Sequence, residues 1–265
     1  MAKTVCGFCE STTEKITYEH VFAEWIGPLF GARQPGMVVR HTLKLDDTAI
    51  PPRFSYGLDH RVRMPCRRCN TGWMSGLEDI VKPIITPMIQ GHVGRLLTLS
   101  DQVVIARWAV KTAMVVEYMM KVEKRYFTQA ERRSVMDDAT PARHIGAHVW
   151  LGRYGSQNYG VLGLISSLTF EDRILRAHVS TFAVGQFTVQ VLVERHSVGK
   201  AIIAARPGPW DELLIPIWPP PPLLHRTRQF WPPQLSITER DFNALFERFL
   251  ALGVQRGPYR AHRTP

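Results

Sequence analysis

The sequence lacks long apolar runs. No run approaches the roughly 18 consecutive apolar residues that cross a lipid bilayer. The first residues do not follow the basic, apolar and small-residue order of a secretory signal peptide. We therefore expect a cytoplasmic protein that neither spans a membrane nor is exported.

Cysteine and acidic residues are also scarce. The chain has only four cysteines among 265 residues, and a reducing compartment would keep them as thiols, so a bound metal explains them better than disulfides do. Asp and Glu number 23 against 33 Lys and Arg, giving a formal net charge of +10. This excess suits a polyanionic partner such as nucleic acid, because bound phosphates release their counterions. A merely soluble basic protein has the same balance, so charge alone does not decide.

What the sequence does contain predicts an α+β fold. A hydrophobic fraction of 45% is typical of globular proteins, and 265 residues suffice for one or two domains. Apolar residues at helical spacing and at period two indicate helices and strands respectively. The predicted helices are 73–90, 100–121, 128–138 and 236–252. The predicted strands are 148–154, 161–170, 174–183, 187–194 and 201–206.

Local signals refine these elements. Pro83 and Pro87 are expected to break or kink the first helix, because proline removes a helical hydrogen bond. The alternation along 174–183 predicts one buried and one solvated strand face. The proline-rich stretches 218–222 and 231–233 predict an extended arm over the surface.

Two CxxC pairs carry the strongest signal. Cys6 and Cys9 form the first pair, and Cys66 and Cys69 form the second. Two such pairs supply four thiolates at the spacing of a closed tetrahedral zinc site, which is favoured over four buried free thiols. The intervening segment 10–65 exceeds the roughly 15 to 20 residues of a zinc ribbon, so an inserted structure is expected there.

The residues around the two pairs form a wider pattern. Glu19-His20 follows the first pair, and Asn70 follows the second pair directly. Along the chain, a CxxC pair is followed by an acidic residue and a histidine, then by a second CxxC pair with an adjoining asparagine, and then by a helix. This order resembles the HNH endonuclease family, specifically the members whose ββα-metal fold carries a structural zinc bound by four cysteines. The resemblance covers residues 6 to about 80 and implies a ββα-metal module.

The resemblance implies a role for each matching residue. His20 would be the general base that activates water, since histidine takes up a proton near neutral pH. Glu19 and Asn70 would bind a catalytic Mg²⁺ or Mn²⁺, and the zinc would be structural only. Glu78 is a second-rank metal ligand, whose alternative role is to stabilise a helix N-terminus.

Three positions depart from the family pattern. Glu19 stands where Asp is more usual, and Trp73 stands where many relatives have Lys. The central Asn is absent from 54–65, where Asp59 or His60 can substitute. Taken singly, Glu19, His20 and Asn70 are each more often structural than catalytic, and only the set supports a nuclease.

Basic residues surround the second CxxC pair. We expect them to contact the phosphates of the bound nucleic acid, whereas the alternative is a solvated basic face. They are Arg61, Arg63, Arg67, Arg68 and Lys82.

The sequence thus predicts a metal-dependent endonuclease that hydrolyses phosphodiester bonds, with DNA as the favoured substrate. Residues 1–95 would form an HNH-like nuclease module, which the zinc bound by the two CxxC pairs would hold together. Residues 96–265 would form an α+β accessory domain, in which a helical linker leads into a small antiparallel sheet and a C-terminal helix. A protein partner or a second copy could bind through this domain. The alternative is a zinc-stabilised nucleic-acid-binding or regulatory protein without catalysis.

Overall fold

The structure, a computed structural model, has the predicted mixed α+β composition. It describes residues 5–30, 36–41, 53–56, 58–119, 125–137, 145–155, 159–170, 173–194, 210–220 and 229–247. The predicted strand 201–206 and the end of the predicted helix 236–252 lie outside these residues. Within them, no helix is both long enough and apolar enough to cross a membrane.

Strands dominate the second half of the chain. The strands are β1 (Ile16–His20), β2 (Gly36–His41), β3 (Arg53–Tyr56), β4 (Arg61–Cys66), β5 (Arg95–Leu97), β6 (Ala147–Tyr154), β7 (Tyr159–Phe170), β8 (Arg173–Val184), β9 (Phe187–Glu194), β10 (Leu214–Trp218), β11 (Gln229–Trp231) and β12 (Ser236–Ile237). The four strands predicted between 148 and 194 are confirmed, with bounds that differ by at most two residues.

Most of the helices lie between β4 and β6 along the chain. The α-helices are α1 (Arg67–Cys69), α2 (Ser75–Ile89), α3 (Leu99–Val116) and α4 (Gln129–Asp137), followed later by Trp210–Leu213 and Glu239–Glu247. There are also two 3₁₀ segments: Glu24–Phe30 follows β1, and Glu117–Met119 follows α3 directly. The predicted helices 100–121 and 128–138 correspond to α3 and α4.

One large sheet organises the fold. Its strand order is β10-β6-β9-β8-β7-β2-β3, and β12 pairs with β6 in parallel. Strands β2 and β3 come from the segment between the two CxxC pairs, and β2 pairs in parallel with β7. The inserted segment therefore extends the sheet formed by the later part of the chain.

Both faces of this sheet are covered where β8 is described. One face packs in the core that contains α3, and the other packs against the helix Glu239–Glu247. The prediction of a solvated face on 174–183 is therefore wrong: His178 and Ser180 are both 0% exposed. The rings of Tyr126 and Phe127 lie over His178 and exclude water from this face. Polar and apolar residues do alternate along this strand, but the face that carries the polar residues is buried as well.

Helix α2 runs through both of its prolines. Of the break or kink predicted at Pro83 and Pro87, the break is wrong, because the helix continues from Ser75 to Ile89. Its buried face, which includes Val81 and Ile85, packs against α3. This tertiary burial offsets the hydrogen bonds that the prolines remove. The helix ends before Gly91, whose φ of +85° suits glycine.

The expected surface arm is also wrong in the described residues. Trp218 is the last residue of β10, which pairs with β6. Trp231 is 1% exposed and belongs to β11, which pairs with β5. Each of these strands ends at a cis X-Pro bond. The prolines therefore terminate short paired strands, as proline does at the margins of sheets.

The C-terminal helix begins later than the sequence indicates. Ser236–Ile237 is strand β12, and the helix starts at Glu239. Thr238 and Asp241 form reciprocal hydrogen bonds at its start, from Thr238 N to Asp241 Oδ2 at 2.9 Å and from Asp241 N to Thr238 Oγ1 at 3.2 Å. This capping box places the helix start at 239.

The hydrophobic core is continuous across residue 95. Phe8, Met74 and Ile85 belong to the same cluster of buried side chains as Trp108 and Val149. The division into 1–95 and 96–265 stays a prediction. The packing shows that residues on the two sides of this boundary share one core.

Candidate functional site

The site begins with a strand pair followed by a helical segment. Strands β1 and β4 are antiparallel, with Tyr18 opposite Arg63 and His20 opposite Arg61. Strand β4 ends at Cys66, and the helical segment begins at the next residue. This arrangement brings the residues that follow the first CxxC pair close to those that follow the second pair, although 57 positions separate Cys9 from Cys66.

The four cysteines form a compact sulfur cluster. Their Sγ atoms all lie within 4.8 Å of one another, and Cys9 Sγ lies 3.6 Å from Cys66 Sγ. A tetrahedral zinc with bonds of about 2.3 Å separates its sulfurs by about 3.8 Å. The group can therefore hold a structural metal ion such as zinc. Within the described ranges it is the only group of three or more His, Cys, Asp or Glu residues with this spacing.

The surroundings of the thiols differ. Burial raises the pKa of Cys69, and its thiol neighbours raise it further. Burial also acts against the thiolate of Cys9, but hydrogen bonds from the Ser11 backbone and the neighbouring thiols outweigh it and lower the pKa to about 7. The lowered pKa favours the thiolate of Cys9, which is the form that binds a soft metal ion.

Close backbone packing shapes the first CxxC turn. Glu10 has φ of +59° and donates its N–H to Cys6 O at 3.1 Å, which closes the turn. Gly7 leaves no room for a side chain, because a Cβ there would lie 2.5 Å from Tyr118 Oη. Cys66 N donates to Cys6 Sγ at 3.2 Å and connects the two pairs.

Helix α4 holds the first CxxC turn from the outside. Gln129 Nε2 donates to Phe8 O at 2.7 Å, and Arg133 Nη2 donates to Cys9 O at 3.1 Å. Neither residue was predicted to lie at the site. A glutamine and an arginine in a polar helix carry no signal of such a contact, since solvent exposure is their usual state.

His20 is held by a carboxylate. Its Nε2 lies 3.1 Å from Asp59 Oδ1, and Arg61 Nε lies 2.6 Å from the same oxygen. The hydrogen bond from Arg61 lowers the pKa of Asp59. Of the two residues predicted to substitute for the central Asn, Asp59 is the one whose side chain contacts His20. His60 contributes its backbone, since Val21 N donates to His60 O at 2.7 Å.

Glu19 and Glu78 share a buried lysine. Lys111 Nζ lies 3.2 Å from Glu19 Oε1 and 2.9 Å from Glu78 Oε1. Burial raises the pKa of Glu19, although the ammonium of Lys111 opposes this rise. Burial lowers the pKa of Lys111, but the two carboxylates outweigh it and raise the pKa overall. The three side chains therefore form one charged group, in which Lys111 and Glu19 are buried and Glu78 is partly exposed.

Lys111 was not predicted as a site residue. It lies on α3 and its side chain is 2% exposed. The signal was a charged residue on a helix whose neighbouring residues are apolar almost all round, since lysine is almost never fully buried without a partner.

Asn70 connects the helical segment to β1. Its Nδ2 donates to Thr17 Oγ1 at 3.1 Å and to Tyr18 O at 3.0 Å. The segment is kinked two residues later at Gly72, with φ of −96° and ψ of −109°. The kink lies between the second CxxC pair and α2, so it sets the direction in which α2 leaves the site.

The predicted catalytic residues line one cleft. Glu19, His20, Asn70 and Glu78 all border a cavity of roughly 280 Å³ beside β1. The five predicted phosphate-binding residues do not line it. Four are exposed arginines, and Lys82 is exposed with its ammonium 5.7 Å from the centre of the Trp25 ring. The four are Arg61, Arg63, Arg67 and Arg68.

No protein-family model, no curated protein and no solved structure matches this chain. Function is therefore inferred from the chemistry of the site itself.

Proposed function

We propose that this protein is a metal-dependent endonuclease that hydrolyses phosphodiester bonds in nucleic acid, with DNA favoured. The observation that carries the proposal is the convergence of Glu19, His20 and Asn70 on one cleft. Metal-assisted hydrolysis of a phosphodiester requires a general base close to oxygen ligands for the metal ion, and these three residues supply both. The resemblance to ββα-metal HNH nucleases supports the same roles, as does the order of β1, β4 and the following helical segment.

His20 is suited to be the general base. Its Nε2 faces Asp59, and a carboxylate in this position favours the tautomer with the proton on Nε2. The lone pair on Nδ1 is then free to accept a proton from water. Asp59 would also stabilise the imidazolium that forms when this proton arrives.

The donor set at the cleft fits a hard divalent cation. Asn70 uses its Nδ2 to bind β1, which leaves its carbonyl oxygen as a donor. Lys111 contacts Oε1 of Glu19, which leaves Oε2. An amide oxygen and a carboxylate oxygen suit Mg²⁺ or Mn²⁺, which would neutralise charge on the phosphate when bound. Glu78 stays a second-rank ligand.

The test is cleavage by the His20→Ala variant. Supercoiled plasmid, linear duplex and single strands are incubated at low salt with Mg²⁺, with Mn²⁺ or without added divalent metal. We expect His20→Ala to cut roughly 10²- to 10⁴-fold more slowly, because it loses its base, with unchanged zinc content and melting temperature. His92→Ala is the matched control, since His92 is exposed and does not line the cleft. Equal cutting rates in all three proteins would refute the assignment of His20.

One observation favours the alternative of a zinc-stabilised nucleic-acid-binding or regulatory protein. The carboxylate that would bind the catalytic metal is already paired with the buried ammonium of Lys111. A protein of this kind would bind nucleic acid with strong salt dependence and cut nothing with any metal. It would also be indifferent to His20→Ala.

A further inference from the structure

Tyr18 is exposed on a strand that otherwise buries its apolar side chains. It is 63% exposed, whereas Ile16 on the same strand is 9% exposed. The pairing of β1 with β4 shifts register between Ile16 and Tyr18. Such a bulge reorients the side chain that follows it. The hydrogen bond from Asn70 to Tyr18 O then holds the backbone at this point.

The exposed ring lies on the same strand face as His20. Residues two apart on a strand point to the same side, at a separation of about 6.8 Å. Across the pair, Arg63 lies opposite Tyr18 and Arg61 lies opposite His20. Arg63 is exposed, so a cationic residue stands on the neighbouring strand opposite Tyr18. Tyr18 also lines the cleft together with His20.

We infer that Tyr18 is a stacking platform for an unpaired base and that this site takes single-stranded or locally opened nucleic acid. The inference rests on the proposed function, because it places the scissile phosphate at His20 and the neighbouring base on Tyr18. The distance between residues two apart on a strand, about 6.8 Å, is similar to the distance between neighbouring nucleotides in an extended single strand. A base inside a duplex presents no free face, so only an unpaired base can stack on the ring. Arg63 would contact the phosphate on the other side of the same nucleotide.

The test is binding to single-stranded and duplex DNA of the same sequence, measured by fluorescence anisotropy with the zinc-loaded full chain and without added Mg²⁺ or Mn²⁺. We expect Tyr18→Ala to weaken single-strand binding roughly 5- to 150-fold, the loss produced by removing one base–aromatic stack. Tyr18→Phe keeps the ring and should bind like wild type. Phe230→Ala is the matched control, because Phe230 is 67% exposed on β11 and does not line the cleft.

Three results would overturn the inference: single-strand binding that Tyr18→Ala leaves unchanged, an equal loss for duplex, or no single-strand binding by wild type. Since Tyr18 is exposed, its variants should keep the melting temperature and zinc content of wild type, and these two measurements verify the fold. Parallel cleavage assays separate this inference from the proposed function. Cleavage that needs His20 but ignores Tyr18 refutes the stacking role alone. Single-strand binding that needs Tyr18, without any cleavage, refutes the nuclease alone.

Discussion

Cys66→Ser is expected to unfold the region around the two CxxC pairs. Cys66 is 0% exposed, and its Sγ lies 3.6 Å from that of Cys9 at the centre of the sulfur cluster. Where four ligands enclose a structural zinc, metal binding is folding free energy, with apparent values of about 10 to 16 kcal/mol at neutral pH. Losing one of the four thiolates should remove most of that stabilisation. Zinc content by mass spectrometry and near-ultraviolet circular dichroism measure the two consequences.

Metal removal provides the companion experiment on the wild-type chain. A strong zinc chelator should produce the same loss of near-ultraviolet signal, and added zinc should restore it. Phe230→Ala is the control, because Phe230 is 67% exposed on β11, which pairs with β5 and not with a strand of the cysteine site. It should keep both zinc and fold. A Cys66→Ser variant that stayed folded without zinc would show that the four cysteines are not a structural metal site.

Lys111→Met is expected to destabilise the protein by about 3 to 5 kcal/mol. Methionine fills a similar volume but leaves two carboxylates, on Glu19 and Glu78, without their shared cation. Breaking a buried ion pair by removing one partner typically has a cost of about this size, because the remaining charge stays in a poorly solvated place. Urea denaturation monitored by circular dichroism measures the change in the free energy of unfolding.

The pH dependence identifies the cause of this loss. Burial and the neighbouring Glu78 raise the pKa of Glu19, while Lys111 lowers it. Without Lys111, the pKa of Glu19 rises further above its value in the unfolded chain. The folded variant then holds a proton that the unfolded chain releases, so its stability should fall as the pH rises through the folded pKa. The difference from wild type should therefore be smaller at acid pH than at pH 8.

A double variant serves as the control. Lys111→Met combined with Glu78→Gln leaves one buried carboxylate and should recover part of the lost stability, because the repulsion between the two carboxylates is gone. If the double variant lost as much stability as Lys111→Met and Glu78→Gln lose separately when added together, Lys111 and Glu78 would not interact energetically. A loss for Lys111→Met that is below about 1 kcal/mol, or equal at every pH, would show that the ion pairs contribute little.

Much of the fold follows from local patterns. Strands β6, β8 and β9 were predictable because alternating or continuous apolar residues bounded by turns are a local signal. The start of the last helix was missed because Ser236–Ile237 pairs with β6, a contact with a distant strand. The buried face of β8 was missed because its polar residues meet aromatic rings from another part of the chain. In each case a nonlocal contact outweighed the local preference.

For the candidate site, the sequence by itself determined the four thiols and the order in which Glu19, His20 and Asn70 follow them. The CxxC spacing is local, and a metal needs little more than ligands of the right type and separation. Only the tertiary structure decided which side chains surround this set. Lys111 meets Glu19 across 92 positions and Glu78 across 33. Such a group forms only where the packing of β1, α2 and α3 brings these distant charges together in a poorly solvated place, which no local pattern specifies.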